Sequence, residues 1–142
     1  MKFWDASAVV PLCVSEHRSD ELAELLRGDP ELAVWWGTPV EVASALARRA
    51  REGVLPNGAD DRALARLAVL AEAWVTVNAT EEVRQLALRL LRVHALRASD
   101  ALQLAAALVW AEQRPAGLGF VALDDRLGDA ARREGFTVLP AA

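Results

Sequence analysis

Short apolar runs alternate with helical patterns along almost the whole chain, and this alternation limits the possible folds more than any other feature. The runs read KFW, LAVWWG, WVTV, GFVALD and FTVLP. The spacing of apolar residues predicts helices over 7–27, 39–52, 60–73, 80–93 and 99–112, and over DRLGDAARREG near the end. Strands that alternate with helices of this length pair in parallel through right-handed crossovers. We therefore predict an α/β fold of three layers, α/β/α, around a central parallel sheet of four to five strands.

The size of the chain is that of a single domain. With 142 residues, of which 54% are hydrophobic, residues 1–142 are expected to fold as one domain with a substantial core. The longest apolar run, 104–111, is much shorter than the roughly 20 residues that span a membrane. The segment MKFWDAS lacks the pattern of a secretory signal, and the single cysteine, Cys13, fits a reducing compartment. We expect a cytoplasmic protein.

Four acidic residues are expected at one edge of the predicted sheet. Asp5 and Asp124 each end a predicted strand, whereas Glu41 and Asp100 each lie in the first turn of a predicted helix. In open parallel sheets the functional crevice lies beyond the carboxyl ends of the strands. The four carboxylates, which are far apart in the sequence, are therefore expected to meet there.

Helix capping is a simpler explanation for each acid taken alone, because acids are favoured at helix N-termini. TPVE over 38–41 matches a capping box with proline at the first helical position, and DALQ over 100–103 is a weaker version of it. Either Asp124 or its neighbour Asp125 is a candidate cap of the last helix. Capping does not explain why all four acids fall at one edge, since Ser, Thr or Asn would cap equally well.

A group of carboxylates at one site needs a cation, because several stay ionised together only when a positive charge lies among them. The two histidines, His17 and His94, share no spacing typical of metal ligands. A ligand set made only of oxygen selects Mg²⁺ or Mn²⁺ over zinc. Such a cation meets a phosphate and activates water for attack on it, which is the chemistry of a metal-dependent nuclease.

The basic residues are almost all arginines, and several are grouped. The chain has 16 Lys and Arg against 20 Asp and Glu, so as a whole it is not a basic nucleic-acid binder. Arg48, Arg49 and Arg51 lie together on the predicted helix 39–52. Because the planar guanidinium suits bidentate contact with phosphate, these three are candidate phosphate-binding residues. A solvated helix face is the alternative.

Four segments, taken in order, resemble the successive motifs of a known nuclease family. They are DASAVV from Asp5, TPVEVASAL with Glu41, RASDALQLAAAL with Asp100 and LDDRLGDAARREGFTVL with Asp124. Over nearly its whole length the chain resembles the PIN-domain family, and most of all the VapC ribonucleases of bacterial toxin–antitoxin pairs. The order and spacing of four motifs make the resemblance specific.

The resemblance implies a role for individual residues. The catalytic, metal-binding acids that it implies are Asp5, Glu41, Asp100 and Asp124. The cofactor would be Mg²⁺ or Mn²⁺, and Ser7 and Ser99 would hydrogen-bond those carboxylates or a metal-bound water. In LDDRL, Asp124 matches the family acid better than Asp125 does.

The resemblance also implies an activity and partners. The activity would be that of an endoribonuclease that hydrolyses RNA phosphodiesters with a metal-activated water. Arg48, Arg49 and Arg51 would then lie near the RNA backbone. The toxin would form a homodimer and be silenced by a small cognate antitoxin, VapB-like, that covers the site.

Three other classes of protein deserve comparison. A haloacid-dehalogenase-like phosphatase needs a second acid two residues after the first and a catalytic lysine, but Ser7 stands in that position and the single lysine, Lys2, precedes Asp5. The missing lysine also argues against a phospho-acceptor receiver domain. A PIN-like module that has lost catalysis and only binds a partner is the remaining alternative, ranked lower because all four acids are present.

Overall fold

Five strands and seven helices make up residues 1–141, the part of the chain that the computed structural model describes. The strands are β1 (Lys2–Trp4), β2 (Leu32–Trp35), β3 (Val75–Val77), β4 (Gly119–Val121) and β5 (Thr137–Leu139). The helices are α1 (Ala6–Cys13), α2 (Ser19–Gly28), α3 (Thr38–Arg51), α4 (Ala59–Ala73), α5 (Glu81–Val93), α6 (Ala98–Trp110) and α7 (Asp125–Glu134). The strands form one parallel sheet in the order β3-β2-β1-β4-β5. The predicted α/β architecture with a central parallel sheet is confirmed.

Helices cover both faces of the sheet and enclose two apolar cores. Successive residues of a strand point to opposite faces, so Phe3 packs with α5, α6 and α7, whereas Trp4 packs with α1, α3 and α4. Phe3 and Trp4 are both fully buried, as expected for the central strand of a sheet with two covered faces. On the first of these faces Phe3 stacks on Phe120 with ring centroids 5.6 Å apart. These contacts fix β1 and β4 side by side.

The single helix predicted over 7–27 is wrong, because the structure has two helices there. Helix α1 ends at Cys13, the backbone is extended at Val14, and Arg18 adopts the left-handed conformation with φ of 70° before α2 begins. Side-chain hydrogen bonds replace the helical ones in this segment. The Ser19 hydroxyl donates to the carbonyl of Val14 over 3.1 Å and accepts from the backbone N–H of Glu16 over 2.9 Å. Serine competes with helical hydrogen bonding in this way when it lies near a helix end.

The remaining predicted helices agree with the structure within one or two residues, which is the ordinary uncertainty of helix ends. The strand predicted for GFVALD is shorter and ends at Val121, so Asp124 follows the strand at a distance of three residues. Across residues 1–141, no helix combines the length and the apolar character that crossing a membrane requires.

Candidate active site

Four acidic residues from four helix N-termini line one open cavity at the carboxyl end of the sheet. Asp5 and Asp124 are the N-caps of α1 and α7, and Glu41 and Asp100 lie in the first turns of α3 and α6. The cavity has a volume of about 410 Å³. The sequence-based expectation that these carboxylates lie near one another therefore agrees with the structure, although their roles are a separate question.

Asp5 is the most deeply buried of the four acids, at 5% exposure. Its Oδ2 accepts hydrogen bonds from the backbone N–H of Ser7, over 3.0 Å, and from the Ser7 hydroxyl. The same hydroxyl oxygen accepts from the N–H of Leu123 over 3.0 Å, so Ser7 links Asp5 to the segment before α7. Burial raises the pKa of Asp5 to about 6; the bonds from Ser7 oppose this rise, and the charges of Asp100 and Asp124 add to it.

Glu41 is held by a residue that the sequence did not single out. Its Oε2 accepts a hydrogen bond from Nε2 of Gln103, which lies in α6. Burial raises the pKa of Glu41 to about 7, the bond from Gln103 lowers it, and the carboxylates of Asp5 and Asp100 raise it further. Glu41 can therefore take up a proton near neutral pH.

The capping box predicted for 38–41 is wrong. Gly37 occupies the N-cap of α3 and makes no side-chain cap, and the Thr38 hydroxyl accepts from Gln103 instead. A glycine is needed at 37 because a Cβ there would lie 2.5 Å from Nε1 of Trp35. The start of α3 is thus determined by close packing against Trp35, and Glu41 remains available to the cavity.

Asp100 is partly buried in the first turn of α6. Burial raises its pKa, and the charge of Asp124 raises it further, whereas the backbone N–H of Arg97 and the charges of Arg97 and Arg126 lower it. Ser99, the preceding residue, is exposed and does not line the cavity. Of the two serines expected to contact the acids, Ser7 is therefore in contact with one of them, and Ser99 lies outside.

Asp124 caps α7 and lines the cavity at the same time. Its Oδ1 accepts from the N–H of Leu127 over 2.8 Å, so the capping explanation is correct for this residue. Asp125 is exposed as the first residue of α7 and does not line the cavity. The hydrogen bonds within residues 1–141 use Oδ1 of Asp124 and Oδ2 of Asp5, so the second oxygen of each carboxylate is left for another ligand.

The donor set of the cavity fits a hard divalent cation, because its ligands are carboxylate oxygens from four separate elements. Within the described part of the chain, no three acidic, histidine or cysteine side chains lie close enough to hold one ion as they stand. Two of the acids have separate partners, Ser7 for Asp5 and Gln103 for Glu41. Joint coordination of one cation would require rotation of these side chains.

The three candidate arginines of α3 differ in their surroundings. Arg48 is exposed and lines the cavity. Arg49 also lines it but is bound to Glu16, with Nε 3.0 Å from Oε2 and one terminal nitrogen 3.1 Å from Oε1. Arg51 is exposed at the end of the helix and does not line the cavity. The structure thus brings two of the three guanidiniums to the rim.

Comparisons with known proteins agree on the fold. The family model described as PIN domain matches residues 2–133. One similar structure is that of VapC20 from Mycobacterium tuberculosis, which is described as a sarcin–ricin loop cleaving toxin. The two structures superpose with a TM-score of 0.69 at 19% sequence identity, and the match covers 96% of this chain and 97% of that one. PAE2754 from Pyrobaculum aerophilum is similar with a TM-score of 0.67 and 21% identity, covering 97% of this chain and 83% of that one. None of the curated proteins matches the chain. At these identities the likeness to the two structures establishes the fold alone.

Proposed function

Because the chain belongs to the PIN-domain family, we propose that it is an endoribonuclease that uses Mg²⁺ or Mn²⁺ to hydrolyse RNA phosphodiesters. The observation that carries this proposal is the cavity into which Asp5, Glu41, Asp100 and Asp124 converge at the carboxyl end of the sheet. We further propose that the protein is the toxin of a type II toxin–antitoxin pair and acts in the cytoplasm. The likeness to a toxin described as cleaving the sarcin–ricin loop supports RNA as the first substrate to test.

The four carboxylates would hold the cation, since they are the hard oxygen ligands of the cavity. When bound there, a divalent cation supplies a water nucleophile at neutral pH and stabilises the charge that develops on the leaving oxygen. Ser7 keeps Asp5 oriented through two hydrogen bonds, which leaves Oδ1 available as a ligand. Arg48 and Arg49 at the rim would bind RNA phosphates and bring the backbone to an otherwise acidic cavity.

The purified protein is expected to cleave RNA that contains single-stranded or looped segments in the presence of Mg²⁺ or Mn²⁺. Cleavage should stop in EDTA and return when the cation is added in excess, because the nucleophile depends on it. Gel analysis of end-labelled RNA measures both. Equal cleavage with and without the chelator would remove the proposed mechanism.

An inactive, partner-binding PIN module is the competing function, and the same preparation distinguishes it. Mn²⁺ binding measured by calorimetry together with the absence of cleavage on any RNA tested would favour the binding module. Binding and cleavage together would favour the nuclease.

A small VapB-like antitoxin is the protein partner that we propose. It would cover the cavity, and an arginine from it would suit the four acids because a guanidinium binds carboxylates through paired, charge-assisted hydrogen bonds.

We also propose a homodimer, supported by large apolar side chains that are exposed in the single chain. On or next to α3 these are Trp36 at 59% and Val40 at 70% exposure, and on α4 Leu64 at 43% and Val69 at 64%. Light scattering at micromolar concentration should give twice the chain mass, and a monomer would exclude a stable dimer. The paired variants V40E and V69E place a charge on one helix each, so the variant that dissociates the dimer identifies the helix in the interface.

A further inference from the structure

Gln103 is the one fully buried polar residue in the apolar stretch ALQLAAAL of α6. It follows Asp100 by three positions, so both lie on the same side of the helix. The stretch around it is otherwise leucine and alanine packed into the core. A leucine or methionine would satisfy this environment without any polar atom, so the amide needs a specific reason.

The amide of Gln103 joins α6 to the start of α3. Its Nε2 donates to Oγ1 of Thr38 over 3.0 Å and to Oε2 of Glu41. Its Oε1 is buried and has no hydrogen-bond partner within residues 1–141. An unpaired buried carbonyl destabilises the folded state, because it loses its hydrogen bonds to water and gains none in return. Gln103 is therefore a poor choice for stability alone, and the benefit of its amide lies in the Nε2 bonds.

We infer that Gln103 is a positioning residue that fixes the carboxylate of Glu41 for cation binding, an inference that rests on the function proposed above. Nε2 holds Oε2 of Glu41 on the α6 side of the cavity. This restricts the rotamers of a long side chain and leaves Oε1 as the ligand oxygen, so less side-chain entropy is lost when the cation binds. The Thr38 hydroxyl accepts a second hydrogen bond from the same nitrogen, so Nε2 serves both residues at the start of α3.

The test compares Q103M, which keeps the length of the side chain and removes the donor, with T38V, which removes only the hydroxyl that accepts the other Nε2 hydrogen bond. Mn²⁺ binding without RNA is measured by calorimetry. We expect Q103M to weaken Mn²⁺ binding by about 10-fold, the lower end of the effect of residues that orient metal ligands. T38V retains the bond between Gln103 and Glu41 and should bind Mn²⁺ nearly as tightly as the wild type.

A second variant covers the case in which Q103M does not fold. Q103N keeps the amide but is one methylene too short to reach Glu41, so it should weaken Mn²⁺ binding to the same degree. Wild-type affinity for Mn²⁺ in whichever variant folds would overturn the inference. An equal loss of affinity in T38V would also overturn it, since the amide would then act only by holding α3 and α6 together. Absence of Mn²⁺ binding by the wild type would instead overturn the proposed function.

Discussion

Replacing Asp100 with asparagine should reduce RNA cleavage by more than about 100-fold, the upper end of the effect of residues that only orient a metal ligand, and leave the melting temperature of the metal-free protein unchanged or raised. The loss follows because a neutral amide is a weak ligand for Mg²⁺ compared with a carboxylate. The effect on stability follows from electrostatics, since burial and then the charge of Asp124 both disfavour the ionised form of Asp100. Asparagine removes that charge and retains an oxygen in the first turn of α6. Cleavage rates and thermal melting in EDTA give the two readouts.

The stability difference between D100N and the wild type should depend on pH. The pKa of Asp100 is raised above 3.8, its value in the unfolded chain, so the folded state binds protons more readily there. Its carboxylate therefore destabilises the folded protein at pH 7 to 8, and this penalty disappears as the pH falls below about 4, where both states are protonated. The advantage of the variant should accordingly shrink on acidification. An advantage that grows toward low pH would contradict this assignment.

Asp61 provides a matched control for the substitution at Asp100. It occupies the same third position of the first turn in α4 but is exposed and does not line the cavity. D61N removes a favourable interaction with the helix dipole, worth about 0.3 to 1 kcal/mol, and should leave cleavage at the wild-type rate. Full activity in D100N would refute a role for Asp100 in catalysis, and loss of activity in D61N would show that the assay reports on helix stability instead.

Replacing Arg48, Arg49 and Arg51 together with alanine should weaken RNA binding by about 10- to 100-fold at low salt and flatten its salt dependence. Two of these guanidiniums, those of Arg48 and Arg49, lie at the rim of the cavity. Each contact with a single-strand phosphate contributes roughly 0.7 to the slope of the logarithm of the RNA-binding constant against the logarithm of the salt concentration, so this slope should become shallower by about 1 to 1.5. Mn²⁺ binding should be unaffected because none of the three is a metal ligand. Filter binding over a salt series on a cleavage-deficient background measures this slope.

Single alanine substitutions in α3 should distinguish the contributions of the three arginines to RNA binding. R51A should keep the wild-type slope because Arg51 does not line the cavity. R48A should lose about one phosphate contact, which lowers the slope by roughly 0.7. Glu16 lines the same cavity and pairs with Arg49, so E16Q removes a negative charge from the rim and should tighten RNA binding. An unchanged slope in the triple variant would show that these arginines are merely solvated.

The sheet and the gathering of the acids could be predicted from the sequence because both follow from local pattern and a general rule of topology. Asp5, Glu41, Asp100 and Asp124 each follow a strand or begin a helix, and parallel strands bring such positions to one edge. The capping of α7 by Asp124 is equally local, since it depends on a residue three positions away.

Two of the features that sequence reasoning missed depend on contacts between distant segments. Gln103 reads as part of an apolar helix, and its bond to Glu41 joins residues 62 positions apart. The pairing of Arg49 with Glu16 spans 33 positions and depends on the break between α1 and α2, where one continuous helix was expected. The sequence did offer one signal for Gln103, a single polar residue within an apolar run. Burying a polar side chain without a hydrogen-bond partner is costly, so such a residue is expected to have a partner elsewhere in the fold.

The position of β1 at the centre of the sheet has a consequence for biosynthesis. The N–H of Asp5 donates to the carbonyl of Val121 over 2.9 Å, and the bond between Leu123 and Ser7 spans 116 positions. The segment that carries Asp5 therefore leaves the ribosome well before the segment that carries Asp124, which lies more than one hundred positions further along the chain. A nascent chain that stops before β4 contains Asp5, Glu41 and Asp100 but lacks β4 itself, the strand that pairs with β1. The complete set of four acids can therefore assemble only after β4 and the start of α7 have been synthesised and have joined β1.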